Sequence, residues 1–446
     1  MKRSDSANRS HSVDGKSCPV DKQCGACQLL AIPYTDQLVK KQSEIESLFK
    51  EVVAKDGTTV LPILGMDDPF YYRNKVISPY APGKRIGKGS DRAALPRGAA
   101  KRSDKRRSGK NSSNKRSSNE RREILCGMYA QGTHRIIPTD ECLLENRVAK
   151  RIILTLRDIM PKHRLEPYNE NTGMGFLRHA IVRVGHQTGE VLVTLVTNEE
   201  AFPGAKSFCR DLVKRCPEIT TIVQNVNKRN TNVILGDGKE RTLYGPGFIL
   251  DRLCGLSFRI SSHSFYQVNA AQTEVLYKAA IEVANLQGTE RILDAYCGTG
   301  TIGLVAARVL QEKRNDAAAV VLGVDKITEA IADARNNAKH NGISNASFFA
   351  EDAGVFMEGM TQRGESIDVL FMDPPRAGAS EEFLRSTMHL QPKRIVYISC
   401  NPKTQVRDVG ILQKHGYTLK TLQPVDMFPH TNHIETIALM LKSNTK

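Results

Sequence analysis

Five apolar runs in the C-terminal half each end in an acidic residue, a glycine turn or a cysteine, and helical segments separate them. They are 290-ERILDAYCG-298, 319-AVVLGVD-325, 346-ASFFAED-352, 366-SIDVLFMDPP-375 and 393-KRIVYISC-400. Short runs that are apolar on every residue belong to strands buried on both faces, and the intervening helices supply the cover. This alternation predicts a doubly wound parallel α/β sheet over 263–446. Ligands of such sheets bind beyond the carboxyl ends of the strands, so the chemistry is expected where these runs stop.

The first run leads into 294-DAYCGTGTIGL-304, with glycines in the pattern D-x-x-x-G-x-G and a helix predicted from about 301. Glycine there allows a tight turn and close approach of the backbone to a ligand. Asp325 ends the next strand, where an acid can bind two ribose hydroxyls. The stretch 298-GTGTIG-303 also matches a dinucleotide fingerprint. Two further strand ends decide between the ligands: Asp352 closes FFAED and Asp373 opens DPPR. Four such points at successive strand ends suit S-adenosylmethionine better than a dinucleotide. Amino-nitrogen methyltransferases follow Asp/Asn-Pro-Pro with an aromatic that stacks on the base, whereas Arg376 stands here.

In 394-RIVYISCNPKT-404 the apolar run stops at Cys400, and Pro402 cannot continue a strand ladder. Such a cysteine either packs or acts as a nucleophile. Downstream, 434-IETIALML-441 reads as a strand with Glu435 near its start, inside 427-MFPHTNHIE-435. His430 and His433 suggest a metal, but no third ligand accompanies them, and zinc catalysis is not expected.

The formal net charge is +16, and about half of it comes from 101-KRSDKRRSGKNSSNKRSSNERR-122, with ten Lys/Arg against Asp104 and Glu120. Such a tract is expected to be a disordered insertion, spanning about 94–122, that attracts polyanions. The N-terminal MKRSDSANRSHSVDGK lacks the apolar core of a signal peptide. No apolar run reaches the ~18–20 residues of a membrane span. A cytoplasmic, monomeric protein without membrane association is expected. The chain divides into a disordered tail (1–17), a first module (18–150) with a helix near 35–50 and strands such as 72–80, a central α+β module (151–262), and the parallel sheet (263–446).

Ten cysteines in a cytoplasmic chain argue for metal or catalysis rather than disulfides. Cys18, Cys24 and Cys27 crowd into CPVDKQCGAC and need a fourth ligand, for which Cys126 and Cys142 are candidates. Spacing does not separate zinc from an iron–sulfur cluster.

The stretches 265-FYQVNA-270, 293-LDAYCGTGTIGL-304, 372-MDPPRAG-378, 398-ISCNP-402 and 427-MFPHTNHIE-435, with the N-terminal cysteines and 138-PTDEC-142, resemble the RNA 5-methyluridine methyltransferase family. The resemblance implies a class I, Rossmann-like methyltransferase domain behind an N-terminal iron–sulfur region and a central α+β RNA-binding domain. It implies Cys400 as nucleophile and Glu435 as general base, and Gln267, Tyr296, Thr301, Asp325, Asp352 and Asp373 as contacts of S-adenosylmethionine. It also implies a [4Fe-4S] cluster on Cys18, Cys24, Cys27 and Cys142, because 140-DECLL-144 matches the context of the family's fourth ligand. Many members carry a small β-barrel RNA-binding module ahead of the cysteines; only 17 residues precede Cys18, so that module is expected to be absent. The iron–sulfur cysteines point to 23S ribosomal RNA as substrate. The alternatives are a uridine in the transfer-RNA T loop, or a non-catalytic RNA-binding assembly factor on the same fold.

Overall fold

The computed structural model of the protein describes residues 12–13, 16–86, 122–238, 240–313 and 319–443. The larger of its sheets has eight strands. Their order is Ala346–Ala350, Val320–Asp325, Arg291–Ala295, Val369–Met372, Arg394–Ser399, Glu435–Lys442, Tyr417–Val425 and Thr59–Val60. The first five are mutually parallel, and Glu435–Lys442 runs antiparallel to Arg394–Ser399. Side chains alternate across the sheet. Ile292, Val321, Val369, Phe371 and Val396 pack into one helical layer, and Leu293, Val324, Leu370, Met372, Ile395 and Tyr397 into the other. Burial on both faces is why these strands read as unbroken apolar runs.

The helix expected near 35–50 spans Tyr34–Asp56 and ends on Gly57, whose φ of 63° is left-handed. Its partner is the eight-stranded sheet rather than the strands of the first module. Ile45 and Phe49 are fully buried among Leu412, Leu419, Leu422 and Met440. Asp56 accepts from the backbone N–H of Leu419 at 2.6 Å and from Gln413 at 2.7 Å. Thr59–Val60 then pairs parallel with Thr421–Leu422 as the edge strand.

A second sheet, of seven strands, runs Arg241–Tyr244, Ile219–Val226, Val191–Thr197, Leu177–Val184, Lys75–Arg85, Arg122–Tyr129 and Ile136–Pro138. The helices Arg147–Ile159 and Ala205–Arg215 cover one face, burying Ile152, Leu156, Phe208 and Leu212. Lys75–Arg85 pairs antiparallel with Leu177–Val184. The boundary expected at residue 150 therefore runs through a single sheet, because strand pairing joins segments about 100 residues apart.

The basic tract at 101–122 lies outside the described residues apart from Arg122, as does most of the 1–17 tail. The described part of that tail, expected to be disordered, pairs Ser12–Val13 with Lys16–Ser17. The Lys16 ammonium sits 3.8 Å from the centre of the Phe70 ring, a cation–π contact that anchors it. Among the described residues no helix is long and apolar enough to cross a membrane.

Candidate active site

Cys400 follows Arg394–Ser399 directly, and Pro402 opens the helix Pro402–Lys414. Proline at a helix start loses no hydrogen bond, so the chain turns from strand to helix at this point. The last pair of the antiparallel ladder is Ser399 with Thr436, and one step further brings Cys400 opposite Glu435. Glu435 also pairs with Val425 on its other side. Asp373 follows the adjacent strand Val369–Met372, whose Met372 pairs with Tyr397. Register alone thus gathers a thiol and two carboxyls at one end of the sheet.

Their proton affinities respond to that crowding. Burial, then the charges of Glu435 and Asp373, push the Cys400 thiol up to about 11, against the pull of Arg376. Glu435 is 4% exposed. Burial and Asp373 raise its carboxyl to about 8, and Arg376 again opposes them. Burial holds Asp373 at about 7. Burial disfavours every anion here, and like charges disfavour a second one. Arg376 is the cation that both Cys400 and Glu435 feel. Its guanidinium lies 2.8 Å from His433 Nδ1, and its carbonyl accepts from Asn401 at 2.8 Å.

The expected cofactor residues line the same edge of the sheet. Asp325 accepts from the N–H of Gly298 at 3.0 Å and from that of Ile327 at 2.9 Å, so its carboxylate shapes the glycine turn. Asp294 is 1% exposed and accepts from the N–H of Gly303 at 2.9 Å. Tyr296 holds a left-handed φ of 64°, a conformation that L side chains adopt rarely, and its ring lies 5.0 Å from that of Phe383. Asp352 caps the helix Ala353–Gln362 and bonds Lys326 at 2.7 Å. Gln267 and Thr301 line one narrow pocket with Phe265, Tyr266 and Tyr277, and the Tyr277 hydroxyl lies 2.9 Å from Thr301 Oγ1.

The cysteines gather elsewhere. Cys18, Cys24, Cys27 and Cys142 line one small cavity, together with Met128 and Leu30. Burial, then the neighbouring Cys142, push the Cys27 thiol up to about 12, with Arg73 opposing and Cys24 and Cys18 adding to the rise. Cys126 is 1% exposed in the core of the seven-stranded sheet, with Tyr80 and Ile152. Among the described residues no three His, Cys, Asp or Glu side chains converge closely enough to hold a metal ion. The four thiols line one cavity, and thiols are the donor type of zinc and iron–sulfur sites.

Arg376 and His433 join the site without having been expected there. The signal for Arg376 was a cation directly after Asp-Pro-Pro, which reads at first only as a missing aromatic. The other histidine, His430, is fully buried and bonds Gln37.

A family model described as tRNA (Uracil-5-)-methyltransferase matches residues 248–443. A protein of Halalkalibacterium halodurans called an uncharacterized RNA methyltransferase is 38% identical over 427 residues, covering 96% of this chain and 83% of that one. One of the same description from Bacillus cereus is 38% identical over 95% of this chain and 82% of its own length. Among solved structures, the Pyrococcus abyssi tRNA (uracil-54, C5)-methyltransferase in complex with S-adenosyl-L-homocysteine aligns with a TM-score of 0.68 and 25% identity. The alignment covers 97% of this chain and 92% of that one. With the thiol and carboxyls at the end of its parallel sheet, this chain belongs to the S-adenosylmethionine-dependent RNA (uracil-5-)-methyltransferases.

Proposed function

We propose that the chain methylates C5 of a uridine in 23S ribosomal RNA, with Cys400 as nucleophile and Glu435 as general base. The observation that carries this reading is the antiparallel register that brings Cys400 opposite a buried Glu435. Uracil C5 is too weak a nucleophile to take a methyl group unaided. Cys400 first loses its proton to solvent, and addition of the thiolate to C6 then breaks the C5–C6 double bond and leaves an enolate whose C5 carries the electron pair. S-adenosylmethionine, when bound, supplies the methyl group to that carbon. Glu435 then removes the C5 proton, the double bond re-forms, and the Cys400–C6 bond breaks. Arg376 offsets negative charge on either group, since it lowers the proton affinity of both. Gln267, Tyr296, Thr301, Asp325, Asp352 and Asp373 are the residues proposed to hold the cofactor, along the strand ends where such ligands sit.

We further propose that Cys18, Cys24, Cys27 and Cys142 hold a [4Fe-4S] cluster, supported by their shared cavity, and that the seven-stranded sheet faces the RNA. The cysteines favour ribosomal RNA as substrate. A transfer-RNA uridine is the second reading, favoured by the substrate of the Pyrococcus abyssi enzyme. Mass mapping of 5-methyluridine in both RNAs, with and without the protein, separates the two. Cys400→Ala is expected to abolish transfer while RNA still binds. Glu435→Gln is expected to accumulate a protein–RNA adduct that survives denaturing gels and requires Cys400. Turnover by Cys400→Ala would sink the assignment.

A further inference from the structure

The segment 426–434 lies between the strands Tyr417–Val425 and Glu435–Lys442 and delivers Glu435 to the active site. It contains no helix or strand, so other parts of the chain must hold it. The N-terminal residues do. Lys41 Nζ bonds Asp426 at 2.6 Å and the carbonyl of Phe428 at 3.3 Å. The Tyr34 hydroxyl donates to Asp426 at 3.0 Å, and that of Tyr72 to the carbonyl of Pro429 at 3.1 Å.

The tightest grip is on His430. Gln37 is fully buried, and its Oε1 accepts from the N–H of His430 at 3.0 Å. Its Nε2 donates to the carbonyl of Ile32 at 2.8 Å and faces His430 Nδ1 at 3.1 Å. A backbone N–H only donates and a carbonyl only accepts, so the amide has one orientation. His430 Nδ1 must then accept, which places the ring proton on Nε2. The ring stacks on Phe70 at 4.7 Å. The backbone of His430 has a φ of 68°, a left-handed conformation that non-glycine residues adopt rarely and at a cost. Such strain persists where the surroundings over-determine it, five residues before the general base.

The same contacts lead to the cysteine cavity. The carbonyl of His430 accepts from the N–H of Leu29 at 3.0 Å, two residues beyond Cys27. Phe70, Leu30 and Leu143 form one apolar cluster against which Cys18 and Cys27 pack. Both sides of His430 are thus fastened to the segment that carries the thiols.

We propose that Gln37 and His430 are positioning residues that hold Glu435 in place, and that through Leu29 and Phe70 they make its placement depend on the cysteine cavity. This rests on the roles assigned above to Cys400 and Glu435. The step that suffers when the clamp opens is removal of the C5 proton; addition of Cys400 to C6 and binding of RNA do not depend on it.

The test compares wild type, Gln37→Ala, His430→Ala, His430→Asn and Cys27→Ser by turnover, by covalent adduct on uridine-containing RNA, and by hydrogen exchange over 426–434. His430→Ala and Gln37→Ala are expected to lower kcat by about 10²-fold, the scale of a misplacement of about 1 Å, with KM nearly unchanged, and to accumulate adduct. Asn places Oδ1 where Nδ1 of histidine lies and tolerates a left-handed φ, so His430→Asn is expected to regain most of the lost turnover. Cys27→Ser is expected to speed exchange over 426–434 and to accumulate adduct as well. Slower turnover without adduct in the alanine variants would overturn the positioning role. Unchanged exchange over 426–434 in Cys27→Ser would overturn the link to the cysteines. RNA carrying 5-fluorouridine keeps these failures apart from failure of the underlying reading, because fluorine cannot leave C5 as a cation and the adduct must persist. If wild type forms no adduct on that RNA, the roles of Cys400 and Glu435 fall; if it does, only the clamp is in question.

Discussion

Glu435→Gln should make the protein more stable, and increasingly so as the pH rises. The Glu435 side chain is 4% exposed, and burial, reinforced by Asp373, raises its carboxyl from 4.5 to about 8. The folded chain therefore keeps a proton that the unfolded chain gives up between those two values. Stability from this group is complete below pH 4.5 and is lost as pH rises through about 8. At about 1.4 kcal/mol per decade of proton affinity, the proton that the unfolded chain gives up and the folded chain keeps costs stability of roughly 3 kcal/mol at pH 7, approaching ~5 kcal/mol above pH 9, where Glu435 must ionise in place. A carboxamide of nearly the same shape has no charge to desolvate. Urea unfolding of both proteins at pH 5.5 and pH 9 measures the difference; with no tryptophan in the chain, far-UV circular dichroism is the suitable probe. The advantage of the variant should grow by roughly 3 kcal/mol between the two pH values. Parallel pH profiles for the two proteins would show that Glu435 ionises freely, and the dry, anion-averse site described above would not exist.

Turnover should rise with pH through about 8, because the carboxylate form of Glu435 is the one that takes the C5 proton; a flat profile from pH 6 to 9 would exclude it as the base. Anaerobically purified protein should contain iron and sulfide, which Cys142→Ser loses and Cys126→Ser keeps, as metal analysis would show. Deleting 101–122 should weaken RNA binding and flatten its salt dependence, since fewer counterions are released, while affinity for S-adenosylmethionine stays as it was. Lys41→Met leaves Asp426 buried without its cation and should cost about 3–5 kcal/mol in denaturant unfolding. Adding Asp426→Asn to that variant should recover much of the loss.

The parallel sheet and the glycine turn at its strand ends were legible because each signal is local. An apolar run of five or six residues marks a strand covered on both faces, and the turn at 294–304 needs its glycines whatever the rest of the chain does. Gly300, with a φ of 79°, would set a Cβ 2.9 Å from the Phe348 ring. Cys400 and Glu435 were legible as single residues, the first from the abrupt end of its strand and the second from the start of the next. Their pairing is a matter of register, which neither stretch encodes alone. The same limit hid the partner of Tyr34–Asp56. Its periodicity shows a stripe containing Ile45 and Phe49 but not that Leu419 and Met440 receive it. Nothing local marks Gln37, which is fully buried against a loop some 390 residues away. Strand pairing across residue 150 escaped for the same reason, since composition changes there and hydrogen bonding does not.

The seat of Tyr34–Asp56 on the C-terminal strands has a consequence for the order in which the chain can fold. The helix is synthesised well before the residues that bury Ile45 and Phe49, among them Leu412, Leu419 and Met440. At ~5–20 residues per second on the ribosome, the roughly 350 intervening residues take about 20–70 s. Through that interval the apolar stripe has no native partner, and an isolated helix of this length is only marginally stable in water. The seven-stranded sheet can form while the chain is still growing, because its strands lie within 75–244. The eight-stranded sheet cannot gain its last edge strand, Thr59–Val60, until Tyr417–Val425 has emerged. Closure of that sheet therefore waits on a partner made some 360 residues after its edge strand.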